Sequence, residues 1–137
     1  MIEINNLTNI KVDKIFVKNV LREVLRREKG KGNVSVAFVD SNRIKELNNK
    51  YRQKNKATNV LSFEGIQGLG EIIICPEKIG KSNIKTNILF KKELAKVLIH
   101  GILHLLGYDH ESGKSNGEIE RMRKKEEYYF NKSKKLI

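Results

Sequence analysis

The 137-residue sequence has one cysteine, one proline, no tryptophan and no long apolar run. Cys75 alone cannot form an intrachain disulfide or a thiolate metal cluster, and a free thiol suits a reducing compartment. No proline-rich or low-complexity tract marks a linker that would divide the chain. Nowhere are there the roughly 18 apolar residues that a membrane-spanning helix requires. We therefore expect one domain over residues 1–137, in the cytoplasm and without a membrane partner.

Positive charge is in clear excess. The chain has 28 Lys and Arg against 16 Asp and Glu, which gives a formal net charge of +12. Such a surface attracts polyanions, because its cations neutralise phosphates and release condensed counterions. Nucleic acid is the natural partner, although lysine-rich surfaces also serve solubility alone.

The spacing of apolar residues predicts an α+β fold, because helical and alternating patterns follow one another irregularly. Strands are expected at residues 2–4, 34–38, 60–63 and 71–75, paired in one mixed sheet. Helices are expected after Asp13, after Asp40 or Ser41, from Phe90 to Gly107 and from about Asn116. The first helix is expected to close at Gly30.

All three histidines lie in the eleven residues HGILHLLGYDH, from His100 to His110. His100 and His104 are four apart on a predicted helix, so their Cβ atoms lie about 5 to 6 Å apart on one face. Gly107 is suited to end the helix and turn the chain back. A third imidazole from His110 leaves one tetrahedral position for water, as in catalytic zinc sites. We predict that these histidines hold one zinc ion.

A zinc ion with three neutral ligands keeps its full positive charge. It can lower the pKa of bound water toward about 7 and stabilise developing negative charge, which predicts hydrolysis. Asp109, just before the third histidine, is a candidate to orient a ligand or relay a proton. A capping role or an ordinary surface charge explains that residue equally well.

The same spacing matches the zinc-peptidase pattern H-E-x-x-H-x-x-G-x-x-H at every histidine and at Gly107. Position 101 is glycine instead of the glutamate that serves those peptidases as general base. We expect this small residue to leave room beside the metal. A metallopeptidase is therefore the weaker hypothesis.

The stretch KYRQKNKAT, residues 50–58, contains no acidic residue. We expect an exposed loop that binds RNA phosphates, and a merely solvated loop is the alternative. Its basic residues are Lys50, Arg52, Lys54 and Lys56. A second basic excess, over residues 121–135, is explained equally well by a helix surface and a frayed tail.

Three blocks resemble, in order and spacing, the YbeY family of bacterial metal-dependent endoribonucleases that act in rRNA maturation. The blocks are LNNKYRQKNKATNVLSF, LGEIIICPEKI and HGILHLLGYDH, and the last has the family pattern H-G-x-L-H-L-x-G-Y-D-H intact. The resemblance covers most of the chain. It implies a zincin-like fold with the metal site on a long helix and the following turn, and a basic groove for RNA.

Arg52 matches, by position, an arginine that is functionally important in the family. This implies a place near the metal, where the guanidinium would hold the scissile phosphate or stabilise its transition-state charge. We therefore predict Arg52 and His104 as catalytic residues. The resemblance also implies small-subunit rRNA as the RNA partner, a ribosomal protein or ribosome-assembly GTPase as protein partners, and no DNA.

The chain departs from the family pattern T-D-V-L-S-F-P at two positions. Asn59 replaces the aspartate, keeping its size and capping ability without its charge, and we treat it as a candidate to support a ligand. Glu64 replaces the proline and is expected to change only the turn. We predict a zinc-dependent, single-strand-specific endoribonuclease in rRNA maturation and ribosome quality control, with the general base unassigned. The alternative is an rRNA-binding assembly factor with a structural metal.

Overall fold

A computed structural model describes residues 1–66, 68–79, 88–108 and 116–137. Within these ranges the elements are, in chain order, β1 Ile2–Asn6, α1 Lys14–Glu28, β2 Val34–Phe38, α2 Ser41–Arg52, β3 Val60–Glu64, β4 Gly70–Ile74, α3 Ile88–Leu105 and α4 Asn116–Ser133. Single 3₁₀ turns follow β4 and α4, at Pro76–Lys78 and Lys134–Leu136. The predicted α+β fold is confirmed. None of the described helices has the length and apolar character needed to cross a bilayer.

The described strands form one mixed sheet in the order β1-β2-β4-β3. β1, β2 and β4 run parallel, and β3 runs antiparallel to β4 with Ser62 opposite Ile72. The mixed sheet predicted from the sequence is confirmed. β3 is an edge strand, so one of its sides is paired with β4 and the other faces away from the sheet.

Helices cover both faces of this sheet. Successive residues of a strand point to opposite faces, which sends Ile72 and Ile74 to one side and Ile73 to the other. The first side packs against α1, α3 and α4 in the main hydrophobic core. On the second side, Ile44 of α2 packs with Leu61 and Ile73 in a smaller core. The long helix α3 and the helix α2 therefore lie on opposite faces of the sheet.

The end of α1 differs from the prediction. Lys29, and not Gly30, adopts the left-handed conformation, with φ of 55°. The Gly30 N–H donates to the Leu25 carbonyl at 2.9 Å. A Cβ at Gly30 would lie 2.8 Å from Leu25 Cδ2 and 3.0 Å from Leu106 Cδ2, so this glycine serves close packing.

The end of α3 is as predicted. Gly107 has φ of 98°, its N–H donates to the His104 carbonyl at 3.0 Å, and the Tyr108 N–H donates to the Leu103 carbonyl at 3.0 Å. These two bonds form a Schellman motif, which satisfies the last carbonyls of the helix. The motif sets the direction in which the chain leaves the histidine helix.

The basic stretch does not begin as a loop. Lys50 and Arg52 belong to the last turn of α2, which ends in a left-handed Gln53 with φ of 59°. The prediction of a loop from residue 50 was wrong because Ile44, Leu47 and Tyr51 continue the helical spacing, and no glycine or proline interrupts it.

The loop after α2 is held by a buried amide. The Asn48 side chain donates to the Lys56 carbonyl at 2.9 Å and is almost fully buried. Asp40 caps the start of α2 by accepting from the Arg43 N–H at 2.8 Å, which settles the choice between Asp40 and Ser41. The position of Arg52 is thus fixed by both ends of the α2 segment.

Gly101 lies where α3 crosses the sheet most closely. A Cβ there would sit 3.0 Å from Ile72 Cγ2 and 3.3 Å from Ser62 Oγ, and the Ser62 hydroxyl donates to the Gly101 carbonyl at 3.4 Å. The expectation of open room at this position was wrong, because strands β3 and β4 fill it. A glutamate at position 101 would collide with the sheet.

The Gly101→Ala variant is expected to unfold at lower denaturant concentration than the wild type. Overpacking a core typically costs about 1 to 3 kcal/mol, which outweighs the gain of roughly 1 kcal/mol for alanine over glycine in a helix. The matched control is Gly117→Ala, at an exposed position of α4, which we expect to be neutral or stabilising. A Gly101 variant more stable than the wild type would contradict this packing.

Candidate active site

A cleft of about 710 Å³ lies along the edge of β3. Elements from both faces of the sheet contribute to it, since the histidines come from α3 and the arginine comes from α2. The cleft is lined by the following residues: Arg52, the β3 residues Val60, Leu61, Ser62, Phe63 and Glu64, the α3 residues His100, His104 and Leu105, then Gly107, Tyr108 and Glu118. Three residues predicted from separate sequence blocks, Arg52, His100 and His104, are thereby brought together.

The two histidines of α3 face each other at short range. Their ring centroids are 4.6 Å apart and their planes meet at 75°. Nδ1 of His100 lies 2.9 Å from Oε2 of Glu126, on α4. A carboxylate accepts a proton from this nitrogen, and the tautomer protonated on Nδ1 keeps its lone pair on Nε2, in the form that ligates metals.

The donor set of this helix fits a zinc ion. Zinc favours imidazole nitrogens, and a ligating histidine commonly donates its second ring N–H to a carboxylate, which is the relation of His100 to Glu126. The described residues by themselves contain no cluster of three metal-ligating side chains. The third predicted ligand, His110, and the neighbouring Asp109 lie outside the described residues.

The Glu126→Ala variant is expected to bind zinc about 10- to 100-fold more weakly, the usual cost of losing a partner that orients a metal ligand. The dissociation constant for Zn²⁺ is measured by competition with a chelating dye. The matched control is Glu127→Ala, because Glu127 is exposed and pairs with Arg123 at 3.5 Å. Equal affinity of the two variants would mean that Glu126 does not orient His100.

Arg52 reaches the cleft around the edge of the sheet. Its Cζ lies 5.0 Å from the centre of the Phe63 ring, and its Nη2 donates to the Ser62 carbonyl at 2.7 Å. The Phe63 ring also meets Tyr51 edge to face, with centroids 5.3 Å apart. An exposed guanidinium is thus held over one ring and against one backbone acceptor.

The Ser62 carbonyl is available because of the strand register. The Cys75 N–H donates to the Asn59 carbonyl at 2.9 Å, and the Gly65 N–H donates to the Leu69 carbonyl at 3.2 Å. Backbone groups of alternate residues, counted from Asn59, therefore bond toward β4, and those of Ser62 point away from the sheet. Arg52 covers a carbonyl at an edge where another strand would otherwise pair.

The other predicted binding residues do not line the cleft. Lys50 lies with its Nζ 5.2 Å from the centre of the Tyr51 ring. Lys54 and Lys56 are exposed in the loop after α2. Asn59 is exposed, and its backbone carbonyl bonds to β4. A ligand-supporting role for Asn59 stays a prediction.

Three acidic residues of the site were not found from the sequence. Glu64 was expected to change only a turn, which was wrong, because it is the last residue of β3 and lines the cleft. Glu118 lines the cleft from the start of α4, and Glu126 contacts His100. Local spacing offers no signal for the α4 residues, since Glu126 lies 26 positions beyond its histidine.

Fold and site together define a class of protein. The chain is an α+β protein whose long helix, packed on a mixed sheet, presents a histidine pair of metal-ligand spacing beside the edge strand. A family model described as Endoribonuclease YbeY matches residues 3–134. This chain belongs to the YbeY family.

Individual relatives agree with the family model. The chain is 48% identical over 101 residues to Endoribonuclease YbeY of Thermodesulfovibrio yellowstonii, which covers 69% of this chain and 62% of that relative. It is 35% identical over 136 residues to Endoribonuclease YbeY of Buchnera aphidicola subsp. Schizaphis graminum, with 94% and 85% coverage. The solution structure of TM1509 from Thermotoga maritima is similar with a TM-score of 0.61 and 34% identity, over 96% of this chain and 91% of that one.

Proposed function

We propose that this protein is a zinc-dependent endoribonuclease that cleaves single-stranded RNA. We place it in the cytoplasm, in rRNA maturation and ribosome quality control. The observation that carries the proposal is the convergence of His100, His104 and Arg52 on one cleft. Relatives described as endoribonucleases support the choice of RNA as substrate.

His100, His104 and His110 would hold the metal, with Glu126 orienting the ring of His100. A bound zinc ion would supply positive charge that stabilises negative charge developing on the phosphoryl group. The roles of the chain are to hold the ligands in one tautomer and to exclude competing orientations. The contact of 2.9 Å between His100 and Glu126 serves the first role.

Arg52 would bind the phosphate next to the scissile bond. A guanidinium has five N–H donors in a fixed fork, and the contact with the Ser62 carbonyl accounts for one of its two terminal nitrogens. The stacked Phe63 ring restricts the side chain to one orientation. Such a preorganised cation stabilises transition-state charge more than a mobile one does, because no reorganisation is needed during the reaction.

Two routes for the attacking nucleophile are compatible with this cleft. Glu64 and Glu118 are the carboxylates that line it, so either is placed to accept a proton from water. RNA also offers its own 2′-OH as an internal nucleophile. A 2′,3′-cyclic phosphate on the products would indicate the internal route, and its absence would favour water and a cleft carboxylate.

Two features of the site favour RNA over a peptide substrate. The glycine at position 101 supplies no general base, and the sheet leaves no room for a glutamate there. A peptide that adds to an edge strand needs the strand's backbone acceptors, and Arg52 covers the carbonyl of Ser62. Both observations weaken the metallopeptidase hypothesis.

A second candidate function is an rRNA-binding assembly factor whose metal serves stability. The exposed Lys50, Lys54 and Lys56 favour it, because they stand outside the cleft and neutralise phosphate without taking part in cleavage. Under either function we propose small-subunit rRNA as the RNA, with a ribosomal protein or an assembly GTPase as further partners. No DNA substrate is proposed.

The test uses purified wild-type protein, stripped of metal with a chelator and then titrated with Zn²⁺. A single-stranded RNA, the same sequence annealed to its complement, and the DNA of that sequence serve as substrates. We expect cleavage of the single-stranded RNA alone, restored in proportion to bound zinc. Salt-dependent RNA binding without cleavage at any zinc concentration would reject the nuclease and support the assembly factor.

A further inference from the structure

A buried carboxylate on α1 gathers hydrogen-bond donors from two other parts of the chain. Glu28, the last residue of α1, has an 11% exposed side chain. Its Oε1 accepts from the Tyr108 hydroxyl at 2.6 Å. Its Oε2 accepts from the Lys125 ammonium at 2.9 Å and from the Tyr129 hydroxyl, both on α4. The end of α1, the turn after α3 and helix α4 therefore meet at this one side chain.

The network keeps Glu28 ionised. Burial disfavours its charged form, but the hydrogen bonds from Tyr108, Tyr129 and Lys125 outweigh burial and hold the pKa of Glu28 below its ordinary value. Burial and the contact with Glu28 raise the pKa of Tyr129, so that its hydroxyl remains a donor. Charge-assisted hydrogen bonds of this kind are roughly twice as strong as neutral ones. The carboxylate is thus a firm anchor for whatever it holds.

Tyr108 is the partner whose position bears on the cleft. It lines the cleft and follows Gly107 at the end of the histidine helix, two residues before His110. Its backbone N–H completes the Schellman motif, and Arg121 of α4 lies with its Cζ 4.6 Å from the ring centre. With the hydroxyl bound to Glu28, the backbone, ring face and polar tip of Tyr108 are all held.

We propose that Glu28 is a positioning residue for the metal site, acting through Tyr108 on the segment that begins there and carries His110. The inference rests on the proposed function, because it takes His110 to be a ligand. Glu28 itself touches no ligand. It lowers the entropy lost on metal binding, since a segment with an anchored start has fewer conformations to give up.

Helix α4 supports both parts of the site. Glu126 contacts His100 on α3, and the adjacent Lys125 contacts Glu28, which holds Tyr108. One helix is therefore tied to the first histidine and to the start of the segment that bears the third. A change in the Glu28 network is expected to alter metal affinity even where the fold remains intact.

The experiment measures the dissociation constant of the full-length chain for Zn²⁺ alone, by competition with a chelating dye. The variants are Tyr108→Phe, which keeps the ring on Arg121 and loses only the hydroxyl, Glu28→Gln, and the double variant. We expect each single variant to bind Zn²⁺ about 10-fold more weakly, as for other partners outside the ligand shell. The double variant is expected to be little worse than either single variant, because both remove one interaction.

Two controls separate positioning from general stability. Tyr128→Phe removes a hydroxyl that Arg27 binds at 3.1 Å on the surface, and Glu23→Gln removes a carboxylate of α1 that pairs with Arg26 and Arg27. Both are expected to keep wild-type Zn²⁺ affinity. The thermal midpoint of each metal-free variant is recorded beside it, since a purely structural role would lower that midpoint without changing the affinity.

The outcomes distinguish this inference from the proposed function. Wild-type protein that binds no Zn²⁺ would overturn both. Wild type that binds Zn²⁺ while Tyr108→Phe and Glu28→Gln bind it equally well would overturn the positioning role and leave the proposed function standing. Weaker binding by these two variants, with unchanged binding by the two controls, would support the positioning role.

Discussion

The His104→Ala variant is expected to lose both bound zinc and RNA cleavage. His104 is the middle ligand of the predicted set, and its ring lies 4.6 Å from that of His100, centre to centre. Removing a ligand should weaken zinc binding by more than the roughly 100-fold that loss of an outer partner costs. Zinc content is measured by elemental analysis after dialysis, and cleavage is measured on the single-stranded RNA.

The matched control is Glu93→Ala on the same helix, at an exposed position that pairs with Lys96. This variant should retain zinc and activity. Circular dichroism of the metal-free proteins establishes that His104→Ala is folded, since His104 is only partly buried. Undiminished cleavage by a metal-free, folded His104 variant would reject the proposed mechanism.

The Arg52→Ala variant is expected to retain zinc and to cleave RNA about 10²- to 10³-fold more slowly, the usual cost of removing one preorganised donor to a transition state. Arg52 contacts neither histidine in the described structure and is anchored on Ser62 and Phe63. Zinc affinity and the single-turnover cleavage rate are measured on the same preparation. Arg52→Lys should recover only part of the rate, because an ammonium lacks the planar fork.

The control for charge alone is Lys54→Ala, which removes an exposed cation of the same segment outside the cleft. It is expected to weaken RNA binding slightly and to leave the single-turnover rate unchanged. A rate in Arg52→Ala equal to that of the wild type would remove this residue from the site. Loss of zinc in the same variant would instead assign it a structural role at the metal.

The features predicted well from the sequence are local ones. The histidine pair is set by four-residue spacing on one helix, and the stop at Gly107 is set by one left-handed residue. Asp13 caps α1 through a contact three residues ahead, the N–H of Phe16 at 3.0 Å. In each case all the interacting groups lie within one or two turns, so the pattern contains the whole interaction.

Errors arose where composition was used in place of spacing. The basic stretch was taken as a loop because it is charged, yet Lys50 and Arg52 complete α2. Gly101 was taken to leave room because glycine is small, yet Ile72 and Ser62 fill the space beside it. Glycine and lysine report local preferences, and neither reports which element packs against them.

By itself the sequence determined the elements and the helix that bears the histidine pair, because hydrophobic period and helix ends are local properties of the chain. The tertiary structure decided which residues meet. Arg52 and the histidines come from opposite faces of the sheet and share a cleft only because β3 lies at its edge. Glu126 and Glu28 reach His100 and Tyr108 across 26 and 80 positions. Contacts of that range depend on how whole helices pack against one another, and no local pattern contains that information.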